Sequence, residues 1–329
     1  MNYARTLAGD DVLIDGYSWS EDGTSVSNLP LDESELSKIA LTLTDCDIEI
    51  ATSKDKSYVE LINFKPNTYI CSTSSKSLTV SDDISITDYL SFDGSGVKFS
   101  GVWQTLFSEY NSRKYSSSAV TRKTVVIYLN STDALKQINL ELNNCKLRLH
   151  DISGSGDIKI NATDSQAELT NISSTVLVLD GADTEYSLLN INTSKLTSAL
   201  ESGDFTANEL SASSMSFEMG ELDMSLKLKE FSSLELELVK GNVKLETVYD
   251  MTCFARDLET KNGNLIINGT NSGSSFKSNK DTVYPASISA EIKEGDIDIT
   301  FGNQIILVNP DTNGKDPDAD PDSQPSTQP

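Results

Sequence analysis

From about Cys46 to Ile299 the chain alternates aliphatic residues with Asp, Glu, Lys, Ser or Asn. The period is two, the signature of a strand with one buried face and not of a helix. Ile48 and Ile50, Leu140 and Leu142, Leu147 and Leu149, Ile158 and Ile160, Leu234 with Leu236 and Leu238, and Ile297 with Ile299 are the clearest runs. The predicted elements are therefore short strands, each offering one or two aliphatic residues to a core.

A coarser repeat lies over this alternation, in which a Gly is followed by a polar residue and an aliphatic strand start. It occurs at Gly156-Asp157-Ile158, Gly203-Asp204-Phe205, Gly220-Glu221-Leu222, Gly241-Asn242-Val243, Gly263-Asn264-Leu265 and Gly295-Asp296-Ile297. With a weaker member at Gly181, successive spacings are 25, 22, 17, 21, 22 and 32. A loose period near twenty predicts an all-β, right-handed parallel β-solenoid whose corner insertions vary. One such coil buries too little to fold alone, and becomes stable when the next coil stacks on it about 4.8 Å away. Roughly eight coils from Ile138 to Val308 predict a rod about 40 Å long at that spacing. Gly at the corners supplies positive φ, and the long last interval is expected to hold a loop from Thr270 to Pro285.

Residues Asp88 to Lys123 break the pattern. They carry Tyr89, Phe92, Phe99, Trp103, Phe107, Tyr110 and Tyr115. Trp103, Leu106, Phe107 and Tyr110 stand at i, i+3, i+4 and i+7, which predicts a short amphipathic helix. Lys98, Arg113, Lys114, Arg122 and Lys123 make the stretch locally basic. An open terminal coil needs protection from edge pairing, so the expected role of these aromatics is an N-terminal cap. The alternative is a ligand patch, since aromatics beside cations can stack on sugars or meet acidic polymers.

Composition sharpens the outline. The hydrophobic fraction is 37%, or about 39% with Tyr left out and Gly counted, low for a domain with a deep spherical core, where about 45–50% is usual on that count, and suited to a thin, long one. The net charge of -24 repels phosphates and anionic headgroups, which excludes nucleic acid as a partner. No run approaches the roughly 20 apolar residues a bilayer span requires. Residues 1–38 are expected to be a polar N-terminal segment, 39–309 the solenoid with 88–123 as insertion or cap, and 310–329 a disordered acidic tail with five of the eight prolines. The segment from Met1 lacks the basic and apolar blocks of a signal peptide. Either a soluble protein or an ectodomain separated from its anchor is consistent with that.

The order of strands resembles the bacterial putative-adhesin domain family of β-solenoids. The resemblance runs from about Ile39 to Val308. It is carried by Leu41-Thr42-Leu43 with Cys46-Asp47-Ile48-Glu49-Ile50 and Tyr58-Val59-Glu60-Leu61, by Val125-Val126-Ile127-Tyr128-Leu129 ahead of Ile138-Asn139-Leu140-Glu141-Leu142, and by the Gly-Asp-Ile-like coils. Leu129 is followed by Asn130, where this family would place a proline. The resemblance implies a stack at the cell surface or in the envelope with an adhesion role, and supplies no catalytic residues.

Candidate chemistry is sparse. His150 is the only histidine, so two-histidine zinc motifs are excluded and a strand-end role is expected for it. Cys46, Cys71, Cys145 and Cys253 form no C-x-x-C pair. Cys46 and Cys145 precede inward aliphatics by two, which predicts buried thiols, with disulfides as the alternative. Asp47 with Glu49, Glu235 with Glu237, and Asp296 with Asp298 put carboxylates about 6.8 Å apart on outward faces, a glycosidase-like separation that any outward i, i+2 pair shares. A solvated face is the expected reading, ahead of weak calcium binding between coils. The expectation is a non-enzymatic surface or secreted protein without cofactor or metal, meeting a surface glycan or a protein ligand. The competing expectation is a carbohydrate-active β-helix enzyme acting on polysaccharide.

Overall fold

A computed structural model describes residues 36–306 except 54–56, 65–68, 75, 83–89, 94–95, 100–121 and 280–281, together with 18–19 and 25–31. The N-terminal part supplies β1 (Ser18–Trp19), β2 (Ser25–Pro30), β3 (Lys38–Thr44), β4 (Cys46–Thr52), β5 (Tyr58–Ile62), β6 (Ile70–Ser74) and β7 (Ser77–Ser81). A separate hairpin, β8 (Leu90–Asp93) and β9 (Gly96–Phe99), follows. The body consists of β10 (Lys123–Leu129), β11 (Gln137–Asn143), β12 (Lys146–Thr163), β13 (Gln166–Ala182), β14 (Thr184–Lys240) and β15 (Val243–Tyr249). A 3₁₀ turn at Met251–Cys253 leads to β16 (Phe254–Asn262), β17 (Leu265–Ile267), β18 (Thr270–Asn271), β19 (Ser275–Lys277), β20 (Ala286–Glu294) and β21 (Ile297–Gln304).

The strands form a β-solenoid of two parallel faces. On one face β7, β3, β11, the second half of β12, the second half of β13, β14, β20 and β16 lie side by side. On the other the order is β10, β4, the first halves of β12 and β13, β14, β15, β21 and β17. The 57 residues of β14 are three turns of nineteen. The turn length is visible in the register, where Leu169 faces Leu188, Leu177 faces Leu196 and Leu226 faces Leu245. Because register is kept from rung to rung, inward residues meet their counterparts directly. Ile138, Ile158, Leu177 and Leu196 form one such column, each with no exposed surface. Each rung thus adds a buried aliphatic, worth about 1.5–3 kcal/mol per side chain, and the core lengthens without thickening.

The glycine repeat marks several corners rather than one, which explains its ragged spacing. Gly203, Gly241, Gly295 and Gly263 occupy one corner, while Gly156 and Gly220 stand at others. At Gly241 φ is +136°, and a Cβ would lie 1.8 Å from the Leu222 carbonyl oxygen, so a side chain has no room. Many remaining corners use left-handed Asp and Asn instead. Asp45, Asn144, Asp164 and Asp183 repeat at one bend, and Asp151, Asn171 and Asn190, followed by Glu209, at another. Asn and Asp accept this conformation because their short polar side chains bond locally. Asn171 Nδ2 donates to Asp151 Oδ1 at 2.8 Å and Asn190 Nδ2 to Asn171 Oδ1 at 2.9 Å, one ladder step each.

Sequence order and spatial order part at both ends. The β3–β4 coil lies one layer inside, beneath the layer made by β7 and β10. The β20–β21 coil is slotted between the β14–β15 coil and the β16–β17 coil, which precedes it in sequence. Antiparallel strands then line the outermost parallel ones: β5 beside β10, β6 beside β7 and β2 beside β5 at one end, β18 beside β17 and β19 beside β16 at the other. The expected loop from Thr270 to Pro285 therefore contains two short strands. The expected cap maps only in part: Phe92 and Phe99 lie on the β8–β9 hairpin. Tyr89, Trp103, Phe107, Tyr110 and Tyr115, with the predicted helix, lie outside the described residues. Among the described residues no helix is long and apolar enough to cross a membrane.

Candidate functional site

A group of outward polar and aromatic side chains lies where β5, β10, β4 and β12 adjoin. Strand alternation sends Tyr58, Tyr128, Glu49, Arg148 and His150 outward. Register then gathers residues far apart in sequence, with Tyr128 and His150 both facing Ala51 and Arg148 facing Glu49. The Tyr58 and Tyr128 rings pack with centroids 5.3 Å apart. Tyr128 donates its hydroxyl proton to Glu49 Oε1 at 2.7 Å, and His150 Nε2 lies 3.5 Å from the same oxygen. On its other side His150 Nδ1 is 3.0 Å from Asp151 Oδ2. Ala51, outward by alternation, is fully buried, because a small residue between Tyr128 and His150 lets both close over it.

Electrostatics follow from these contacts. The hydrogen bond to Glu49 holds the Tyr128 proton and pushes its phenol up to about 12. His150 and then Asn171, as hydrogen-bond donors, hold the Asp151 carboxyl below its usual range. Arg148 remains 70% exposed and lies 3.4 Å from Glu168. The patch presents two phenol rings, an imidazole, a guanidinium and carboxylates on a rigid sheet, groups that suit stacking and hydrogen bonding to a sugar or peptide. Glu49 and Arg148 also line a depression of about 420 Å³ together with Asp47, Lys146 and Glu168.

Two cations beside the patch, Arg122 and Lys123, are engaged. Arg122 Nε lies 2.9 Å from Asp47 Oδ1 but out of line for a hydrogen bond, and its Nη2 reaches the Asn144 carbonyl. Lys123 pairs with Asp82 and lies 5.7 Å from the Phe64 ring centroid.

The other expected candidates have structural employments. Asp296 Oδ1 accepts from the Asn264 backbone at 2.7 Å, and its own N–H donates to Asn242 Oδ1 at 3.2 Å, which makes it a corner rung. Glu237 faces Glu291, which faces Glu259, a row of like charges relieved at Glu291 by Lys261 at 2.6 Å. Among the described residues no group of three or more His, Cys, Asp and Glu is arranged to hold a metal ion.

All four cysteines are free and buried. Cys46, Cys145, Ser165 and Thr184 stand successively at one inner corner. Thr184 Oγ1 donates to the carbonyls of Ala182 and Ala162 at 2.9 and 2.8 Å, and Cys145 Sγ donates to those of Asn143 and Leu43 at 3.2 and 3.3 Å. The thiol takes the hydroxyl's place in the repeat. Burial raises the thiols of Cys46 and Cys145, and that of Cys71 up to about 12.

Tyr128, Tyr58 and Ala51 were not distinguishable as a group from the sequence. Their neighbourhood arises from the out-of-order layering of β5, β10, β4 and β12, which local patterning does not encode. The sole histidine beside an acidic residue and the outward pair Asp47 and Glu49 were the local signals.

The two-faced solenoid with its inserted end coils has a counterpart in family comparison, where residues 36–300 match Toastrack DUF4097. The chain belongs to the Toastrack DUF4097 family. The match opens just before β3 and closes within β21, so it spans the Toastrack coils together with the patch, and β1 and β2 precede it. Similar solved structures include a putative adhesin from Bacteroides fragilis NCTC 9343, at 10% identity, covering 87% of this chain and 100% of that chain with a TM-score of 0.35. A putative lipid binding protein from Parabacteroides distasonis ATCC 8503 stands at 10% identity, with 86% and 95% covered and a TM-score of 0.35. A putative adhesin from Parabacteroides merdae ATCC 43184 stands at 15% identity, with 86% and 95% covered and a TM-score of 0.32. Superpositions this loose transfer no residue roles to the Toastrack chain. No curated protein matches it.

Proposed function

We propose that this Toastrack protein is a non-enzymatic, surface- or envelope-exposed scaffold that holds a glycan or protein ligand against its flat outward face. The observation that carries the reading is the Tyr58–Tyr128 pair set beside Glu49, Arg148 and His150 on in-register strands. The sheet fixes these groups before a ligand arrives, so little ordering entropy is lost on binding. The aliphatic residues are spent on the core, which leaves recognition to aromatic and polar groups. The adhesion part of the reading draws on the resemblance of the strand order to the bacterial putative-adhesin domain family together with this geometry.

Two experiments test it. Protease shaving of intact cells is expected to cleave the protein; protection on intact cells with release into the cytoplasmic fraction would remove the surface reading. A glycan array is expected to give binding that Tyr128→Ala weakens at least tenfold. Turnover of an acidic polysaccharide that Glu49→Gln abolishes would replace the scaffold with an enzyme.

A further inference from the structure

Two of the four thiols are stacked directly on each other. Thr44 faces Asn143 and Asp47 faces Lys146, so register is fixed on both sides of the corner between them. Asp45 and Asn144 turn that corner in their two layers, both with left-handed φ, and Asn144 Nδ2 donates to Asp45 Oδ1. Cys46 and Cys145 therefore hold the same position in adjacent layers, although they stand 99 residues apart in the chain. Both point inward, at 0% and 1% exposure. Cys145 Sγ leans toward the layer of Cys46, where it donates to the Leu43 carbonyl at 3.3 Å.

Parallel neighbours lie about 4.8 Å apart. That is inside the Cα range of disulfides, about 4.4–6.8 Å, and asks the Cβ atoms to approach by roughly 0.3–1 Å. Oxidation gives up the thiol hydrogen bonds, but the Asn143 carbonyl, which Cys145 Sγ also meets, keeps the Asp45 N–H at 3.0 Å. The other two thiols have no such neighbour. Cys71 of β6 faces Val80, and Cys253 lies at the opposite end of the rod, where its Sγ accepts from the Ile306 N–H at 3.4 Å. Register therefore singles out one pairing among the four.

We propose that Cys46 and Cys145 form a disulfide that clasps the inner β3–β4 coil to the β11–β12 coil. The oxidant is a second disulfide, that of oxidised glutathione or of a thiol–disulfide oxidoreductase. One cysteine thiolate attacks it, forming a mixed disulfide and releasing one thiol; the other cysteine then attacks the protein sulfur and releases the second. The two cysteines lose two electrons and two protons, and the oxidant takes up both as two thiols. Because the pair is buried, exchange takes place while the corner is open, and closure shields the bond from reductant. The loop that the link closes is long, so it removes much freedom from the unfolded chain. It also ties down β4, which carries Glu49 and Ala51 of the tyrosine patch.

Reduced full-length protein is held at the foot of its urea transition in a mixture of reduced and oxidised glutathione, returned to buffer and divided. One part is denatured, alkylated and mapped by peptide mass spectrometry, and the other is melted. Two alkylated thiols, Cys71 and Cys253, and a linked Cys46–Cys145 peptide pair are expected. The thermal midpoint is expected to rise by about 5–15 °C over protein carried through the same steps with a reductant. Cys145→Ser, which repeats the residue that Ser165 supplies in the next layer, is expected to show neither the link nor the rise. The double variant of Cys71→Ser with Cys253→Ser is expected to show both. Four alkylated thiols, or a link that includes Cys71 or Cys253, overturns the proposal. A Cys46–Cys145 link that leaves the midpoint unchanged or lowers it overturns the clasp. Should either variant not fold, the map and the melt of the parent protein decide.

Discussion

Replacing Leu236 tests the stacking on which the fold rests. Leu236 is 3% exposed and lies in the last pass of β14, in register with Ala290 of β20. Phe217, nineteen residues earlier, is 2% exposed in the layer before it. Leu236→Ala removes three buried carbons and leaves a cavity that neighbours held by main-chain ladders cannot collapse to fill, which costs about 2–5 kcal/mol. Leu236→Asp adds the burial of an unpaired carboxylate, several kcal/mol more, against a total stability of about 5–15 kcal/mol. For a structured body of this size each kcal/mol moves the midpoint by about 2–4 °C. A loss of about 3 kcal/mol in Leu236→Ala therefore lowers it by roughly 6–12 °C, and Leu236→Asp lowers it further or prevents folding. Thermal circular dichroism measures the midpoint. Hydrogen exchange locates the damage, because a solenoid couples chiefly to nearest neighbours: protection is expected to fall most in the last pass of β14, in β15 and in β20, and least in β12 and β13. A Leu236→Asp midpoint within a degree of the parent would show that this face is not the buried one.

Gly241→Ala is expected to destabilise by more than 3 kcal/mol, because a Cβ 1.8 Å from a carbonyl oxygen forces strands apart on top of the φ penalty. Gly269→Ala, at φ +75° with nothing within 4 Å of the new carbon, should cost only about 1 kcal/mol; equal losses in urea melts would refute the close-approach argument. Asp151 has a depressed folded-state pKa, so its stabilising contribution is present above the unfolded carboxylate value and is lost as pH falls through the folded one. His150→Ala should move the Asp151 titration upward in carboxyl-detected NMR, and an unmoved titration would place the cause elsewhere. The buried thiols of the reduced protein should resist an aromatic disulfide reagent in the native state and react as four equivalents in denaturant, whereas rapid native reaction would contradict their burial.

The candidate site was less legible than the fold. The sequence singled out His150 and the outward pair Asp47 and Glu49, because a single histidine and i, i+2 acids are local features. It could not bring Tyr58 and Tyr128 to them, since those contacts depend on which strand lies beside which. The glycine repeat was legible as a repeat but not as a register, because Asp45, Asn144, Asp164 and Asp183 turn the same kind of corner without glycine.

Alternation by itself determined that this chain makes strands with one apolar face, and the loose period near twenty determined that they stack as coils. Both are local consequences of side chains pointing in opposite directions along a strand and of each coil burying too little alone. Tertiary structure alone decided that β3–β4 and β20–β21 are inner layers, that β5, β6, β18 and β19 line the outer ones, and that Cys145 stacks on Cys46. Any aliphatic rung can stack on any other at nearly equal gain. The order of rungs is therefore settled by how the terminal edges are paired, a property of the assembled rod that no single segment carries.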